Sequence, residues 1–293
     1  MTRWSFAFTR RWAGYLAVAI VFALVCCGLG MWQFARRAEA RLEIARIDAN
    51  YDAAPVPIGD VLPTLGSFEP DSRWVPVEAT GTYLSADELL VRNRPLGGQP
   101  GFEVLTPLLL DDGSVFVVDR GWVPTGETQD APDEVPAAPA GRVTVVARLK
   151  AGEPALTGRS TVPGSGEIPT VELAQVEELV GRPTFTGAYG LVVSEDPAPA
   201  VTPVASARPV RDEGPHLSYA LQWFVFAILA FVGLGWALRQ EYREVNADDP
   251  EERERAEERA RRRAARALSD GEAEDAILAR QDGHEASAPD PRR

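Results

Sequence analysis

Two stretches of this chain carry no charged residue, Trp12 to Ala35 and Leu217 to Leu238. At a rise of 1.5 Å per residue, each is long enough as a helix to cross a hydrocarbon core of about 30 Å. Backbone in lipid must satisfy its own hydrogen bonds, so both runs are expected to be helices. The chain therefore reads as a membrane protein with two spans, and the segment between them leaves and re-enters through one face.

Charge sorts the remaining segments. Residues 1–11 hold Arg3, Arg10 and Arg11 and no acid; the central segment 36–216 has net charge −12 and the tail 239–293 has −4. A basic, acid-free start favours a cytoplasmic N-terminus. Arg36, Arg37, Arg41 and Arg46 follow the first span and vote the other way, but long loops translocate largely regardless of charge. Both termini are expected in the cytoplasm, and 36–216 outside. A cleaved signal peptide is the competing reading, since Thr9-Arg10-Arg11 resembles a twin-arginine signal and Ala38-Glu39-Ala40 a cleavage site. The apolar run exceeds the usual signal core, and the small-residue site falls after two arginines, so the span is expected to stay. Cys26 follows Val25 where a lipoprotein site wants a small residue.

Composition removes whole classes of function. A net charge of −13 argues against nucleic acid as a partner, which would call for a basic stripe. The only cysteines, Cys26 and Cys27, are adjacent inside the first span, so no disulfide framework or thiolate zinc site is available. With His216 and His284 the only imidazoles, a histidine-cluster metal enzyme is out of reach.

Between the spans the pattern is mostly strand. Trp74 to Tyr83, Glu88 to Arg94, Phe102 to Leu110, Val115 to Val123, Val143 to Leu149 and Leu191 to Val193 are short, rich in β-branched and aromatic residues, and bounded by turn signals. Asp111-Asp112-Gly113 joins two of them as a hairpin, with Gly113 supplying positive φ. One short helix is expected at Val171 to Val180, with Val171, Ala174, Leu179 and Val180 on its apolar face and Gly181 as its stop. Pro-rich stretches at Ala53–Pro70, Ala131–Pro139 and Pro197–Pro215 read as loops. The fold class is thus an α+β membrane protein: two transmembrane helices, at 12–35 and 217–238, flank an antiparallel sheet or small open barrel. In the tail, Glu251 to Leu268 alternates acids and bases at i,i+4 spacing and should be a solvated helix, with disorder from Ser269 onward.

Polar residues at the span ends are the informative ones. Trp32 and Arg36 share a helical face, as do His216, Tyr219, Ala220 and Trp223. A chain that returns through one face brings both groups to the same leaflet. Interfacial Trp and Tyr belts and anchoring arginines are routine, and a histidine at a helix start often only caps it. Gln33 and Gln222 tilt the balance, because an amide inside a span seeks a partner.

Three blocks carry a family resemblance: Gly28-Leu29-Gly30-Met31-Trp32-Gln33-Phe34-Ala35-Arg36; Pro100-Gly101-Phe102-Glu103-Val104-Leu105-Thr106-Pro107-Leu108 followed by Val117-Val118-Asp119-Arg120-Gly121-Trp122-Val123-Pro124; and His216-Leu217-Ser218-Tyr219-Ala220-Leu221-Gln222-Trp223-Phe224. In this order they resemble the first-span, central and second-span signatures of the surfeit locus protein 1 family. The resemblance covers about residues 28–236 and leaves out the tail. It implies a non-enzymatic role in assembling haem–copper cytochrome c oxidase, with haem a as a transient cofactor in bacterial relatives. The partners it implies are the catalytic subunit of the oxidase, haem a synthase and the lipids of a bacterial-type plasma membrane. By the same carry-over, His216 stands where a histidine is proposed to ligate haem iron. Arginines at an interface can pair with propionates, which suits Arg36 or Arg37, and Trp32, Tyr219 and Trp223 can flank a macrocycle. Met31 is nearby, but nothing compels it as a second ligand. Arg120-Gly121-Trp122 is a family hallmark readable either as structural, with Arg120 closing its strand against Asp119 or a neighbouring acid, or as partner-facing.

Two rival functions are kept. One is a two-span scaffold or sensor without haem. The other is a membrane-anchored Ser–Lys peptidase using Lys150, the one lysine in the chain, which would need an apolar setting to act as a base.

Overall fold

The computed structural model describes residues 4–156, 158 and 164–264. It divides into two units, one formed by residues 4–35 with 215–264, the other by residues 36–214.

The first unit is a helix pair. Helix α1 runs Arg10–Asn50 and continues past the unit boundary; the second helix, here α4, runs His216–Val245. Their mean hydropathies, 2.3 and 2.0 over the most apolar window, and lengths suit membrane spans. Most of their surface is uncovered and apolar, as at Val18, Val21, Leu24, Ile228, Val232 and Trp236, which a lipid environment accommodates and water does not. The buried residues recur every seven positions: Trp12, Ala19 and Cys26 on α1, Ala220 and Ala227 on α4. A seven-residue period is the signature of a left-handed helix pair, and small residues in its seam let the backbones approach. Gly30 belongs to the same seam, since a Cβ there would lie 2.8 Å from the Phe224 ring. At the far end Arg11 pairs with Glu241, and Trp4 stacks on Tyr242 with centroids 4.4 Å apart.

The apolar run ends at Ala35, yet α1 extends to Asn50. The added turns carry charges, but their buried side is apolar: Ile47 and, just beyond the helix, Tyr51 pack with Trp74. Trp74 also donates its indole N–H to Glu43 Oε1 at 2.9 Å.

The second unit holds an eight-stranded sheet. Its strands are β1 (Val56–Pro57), β2 (Pro76–Tyr83), β3 (Leu89–Val91), β4 (Gly101–Leu110), β5 (Val115–Pro124), β6 (Arg142–Ala151), β7 (Glu167–Ile168) and β8 (Ala188–Asp196), with short helices α2 (Ile58–Val61) and α3 (Leu173–Val180). The order is β1-β2-β6-β8-β5-β4-β3-β7, and β2 also pairs with β4. Five strands therefore close into a ring, β2-β6-β8-β5-β4. The barrel is closed where an open one was allowed, and it is not wholly antiparallel, because β5 and β8 run parallel through Val118↔Gly190 and Asp119↔Leu191. Two apolar clusters support it: Val77, Leu108, Phe116, Val145 and Leu149 with neighbours, and Leu105, Val117, Ile168, Val176 and Tyr189 with theirs. The β4–β5 hairpin turns through Asp111-Asp112-Gly113, where Gly113 has φ 83° and Asp112 Oδ1 accepts from the Ser114 amide at 2.9 Å.

Strand β8 is longer than its sequence suggests, because Ala188 and Gly190 at its start give a weak strand signal. A Cβ on Gly190 would lie 2.6 Å from the Ala147 Cβ and 2.8 Å from the Phe116 ring. Helix α3 ends at Gly181 in the left-handed conformation, as expected. Its buried face is Leu173 and Val176, whereas Ala174 and Leu179 are exposed. Residues 250–264 are helical, with Glu251–Arg255 and Glu257–Arg261 pairs at 3.7 and 3.5 Å. The expected continuation to Leu268 and the tail from Ser269 lie outside the described residues.

Candidate functional site

The helix pair brings two of the signature blocks together through one bond. His216, the first residue of α4, places Nδ1 2.8 Å from Gln33 Oε1. Both are half-buried. Gln33 lies seven residues after Cys26, so it occupies the next seam position, and the imidazole answers an amide that would otherwise go unpaired between apolar helices. Phe34 and Phe224 pack beside them, 6.1 Å between centroids. Trp32 and Tyr219 are 55% and 49% exposed, leaving their rings free for a ligand or lipid. Trp223 packs edge-on against Phe226 at 5.9 Å, Gln222 is exposed, and Met31 is 63% exposed.

Arg36 and Arg37 belong to the other unit, and both already have carboxylate partners. Arg36 pairs with Glu39 at 2.7 Å, and Arg37 with Glu213 at 2.8 Å, an acid that Arg41 approaches at 3.5 Å. These pairs are solvated at least in part, and exposed ion pairs are weakly held.

The central signature builds the barrel's polar interior. A β-bulge lies between Val104 and Leu105: Leu105 faces Asp119, Val104 faces Gly121, and Arg120 is the extra residue. The bulge lets Asp119 and Trp122, three residues apart, serve one side while Arg120 serves the other. Arg120 is 1% exposed. Its Nε donates to Glu195 Oε1 at 3.1 Å, and its two terminal nitrogens donate to the carbonyls of Pro136 and Ala137 at 2.8 and 3.1 Å. Its guanidinium lies 5.7 Å from the Tyr83 ring. Arg120 therefore closes its strand against Glu195, not Asp119, and is too enclosed to face a partner. Gly121 has φ 126°, and a Cβ there would meet the Val204 carbonyl at 2.5 Å. The Trp122 indole donates to the Arg94 carbonyl at 2.5 Å.

On the Asp119 side sits a cluster that sequence reasoning missed: Arg94, Glu103, Asp119, Lys150, Glu153 and Tyr189. Arg94 pairs with Glu103 at 3.0 Å and with Glu153. Burial and the neighbouring Glu103 charge push the Asp119 carboxyl up to about 8, and Asp119 Oδ2 and the Tyr189 hydroxyl are buried without a hydrogen-bond partner. Burial raises the Glu103 carboxyl too, against the pull of Arg94. Glu153 goes the other way: burial opposes it, but bonds from Arg94, Thr170 and the Val171 amide hold it down at about 2. The available signal was an aspartate set within Val117-Val118-Asp119, mid-strand among buried residues.

Lys150 and Ser206 line one cleft of about 340 Å³ with Trp74, Arg94, Glu103 and Trp122. The ammonium lies 3.9 Å from Glu153 and 5.5 Å from the Tyr189 ring centre. A lysine with carboxylates beside it lacks the apolar setting that a peptidase base needs. Among the described residues, no cluster of three or more His, Cys, Asp or Glu is arranged to hold a metal ion.

Two membrane-length helices, one before and one after a closed β-barrel in the chain, define a membrane-anchored β-domain protein whose span ends meet through a histidine–glutamine pair. Residues 20–228 match the SURF1 family, and the chain belongs to it. An uncharacterized SURF1-like protein of Mycobacterium tuberculosis is 33% identical over 83% of this chain and 89% of its own length. A SURF1-like protein of Rickettsia felis is 24% identical over 74% of this chain and 93% of its own. The cytochrome oxidase assembly protein SHY1 of Saccharomyces cerevisiae is 30% identical over 42% of this chain and 32% of its own length.

Proposed function

We propose that this protein is a membrane-bound assembly factor for haem–copper cytochrome c oxidase, and that it holds haem a at the joined ends of its two spans for insertion into the catalytic subunit. Family membership and the name of the yeast relative support the assembly role. The observation that carries the haem reading is the bond between Gln33 and His216, which occupies Nδ1 and leaves Nε2 for iron. Bound haem would supply one coordination position at its iron. Trp32 and Tyr219 have exposed rings for its faces, and Arg36 or Arg37 would give up its acidic partner to a propionate. Haem a synthase is the donor expected for such a cofactor, and lipids would surround its isoprenoid tail. The basic residues 1–11 support a cytoplasmic N-terminus in a bacterial-type plasma membrane, with 36–216 outside and the C-terminus inside.

One observation favours a scaffold without haem: both candidate propionate partners already pair with carboxylates. Reduced-minus-oxidised spectra of membranes from a deletion strain, complemented with wild type or His216→Ala, separate the readings. Restoration of the haem a signal by wild type alone supports haem handling. Equal restoration by His216→Ala supports the scaffold, and an unchanged signal in the deletion rejects the assembly role.

A further inference from the structure

An imidazole offers a lone pair from only one nitrogen when neutral, and which one is decided by its neighbour. Here Gln33 Oε1, which can only accept, lies 2.8 Å from Nδ1; a bond between them requires the ring proton on Nδ1 and leaves Nε2 bare. We infer that Gln33 is a positioning residue: it selects the tautomer of His216 and aims Nε2 at the metal centre. The inference rests on the haem reading for the identity of that centre, but the tautomer stands independently of it.

Three features converge on this role. Gln33 is the polar member of an otherwise apolar or small inward row, Trp12, Ala19 and Cys26, so its amide spans the seam and meets only what α4 presents there. His216 is held at both ends, through its ring by Gln33 and through its backbone by the first turn of α4. That turn is closed by the Tyr219 amide and the Ser218 hydroxyl, which both donate to the Pro215 carbonyl at 3.1 and 2.8 Å. Finally, the bond links the first-span and second-span signature blocks directly, so docking the helices and preparing the ligand nitrogen are one event. The reversed amide, with Gln33 Nε2 donating to His216 Nδ1, would put the ring proton on His216 Nε2 and block it; the two arrangements are experimentally distinct.

A hydrogen bond to the second nitrogen orients a metal-bound imidazole and raises its basicity, and losing it typically costs 10–100-fold in affinity. The test uses the full chain in detergent micelles, ¹⁵N-labelled at histidine and carrying His284→Gln so that one imidazole reports. In the metal-free protein, above the pH at which the ring is charged, the ¹⁵N shifts should show a protonated Nδ1 and a bare Nε2. Gln33→Leu should mix the tautomers. Titration with ferric haem a should then give Gln33→Leu an affinity roughly 10–100-fold weaker than wild type. Gln33→Glu, a stronger acceptor, should bind as well as wild type with a lower iron reduction potential. A protonated Nε2 in the wild-type protein overturns the inference, and no variant is needed to see it. So does a Gln33→Leu protein with unchanged haem affinity and spectrum. If Nδ1 is protonated through Gln33 but His216→Ala takes up haem a equally, the haem reading fails and the tautomer assignment survives.

Discussion

Replacing Arg120 with alanine should destabilise the barrel by about 3–5 kcal/mol, the usual cost of removing one partner from a buried ion pair. The side chain is fully enclosed, and the Glu195 carboxylate it serves is 4% exposed, so truncation strands a charge that water cannot reach. The Pro136 and Ala137 carbonyls add little, because Ala137 is exposed and Pro136 half-buried, and solvent can replace the lost donors. For a unit of 150–250 residues each kcal/mol moves the melting temperature by about 2–4 °C, so the drop should be roughly 6–20 °C. The assay is thermal unfolding of the full chain in detergent, followed by near-ultraviolet circular dichroism. A second arm tests the cause. Arg120→Leu combined with Glu195→Leu should recover much of the loss, because replacing both members of a buried pair with apolar groups is often neutral. The argument is refuted by a single variant that melts within about 2 °C of wild type. It is also refuted by a double variant no better than the single.

Gly121→Ala should cost about 1–3 kcal/mol in the same assay, since its φ of 126° and the Val204 carbonyl 2.5 Å from a new Cβ leave no relaxed arrangement. Asp119 sets a pH dependence. Its carboxyl rises from 3.8 in the free residue to about 8 on folding, so between those values the folded chain binds the extra proton and stability falls as pH rises. Melting temperatures of Asp119→Asn should be flatter than wild type from pH 5 to 8; parallel curves would reject this. Glu153 is held at about 2, against 4.5 in the free residue, through its bonds to Arg94, Thr170 and the Val171 amide. It contributes stability that is full above about 4.5 and is lost as pH falls toward 2. Glu153→Gln should therefore lower the melting temperature at neutral pH and flatten its fall below pH 4.5; curves running parallel to wild type would count against it. Lys150→Ala should leave oxidase activity in complemented membranes unchanged, and loss of a peptidase activity in that variant would revive the Ser–Lys alternative.

Much of the architecture is legible because it rests on local signals. Absence of charge marks Trp12–Ala35 and Leu217–Leu238, and alternation of β-branched residues marks the core strands. Where the signal is not local, reading fails. The start of β8 holds Ala188 and Gly190, Gly190 being thin where Phe116 and Ala147 approach across the barrel, and alanine and glycine have little strand preference. The turns of α1 beyond Ala35 are held by Tyr51 and Trp74, which no hydropathy threshold weighs. Gln33 and His216 each stand out, and counting sevens from Trp12 through Ala19 and Cys26 reaches Gln33, so half of that partnership was open to a periodic reading. The acids around Arg94 come from β4, β5 and the segment just after β6, and only cross-strand register and the bonds of Glu153 to Thr170 and Val171 gather them.

The two adjacent thiols have a consequence for experiment. Cys26 is wholly enclosed in the helix seam, while Cys27, about 100° further round the helix, is half-buried. A small membrane-permeant thiol reagent should therefore modify Cys27 while the helices are together and reach Cys26 only when they part. Neighbouring sulfurs that differ in access form an internal ratio, independent of expression level or reagent dose, for the fraction of molecules whose hairpin has opened.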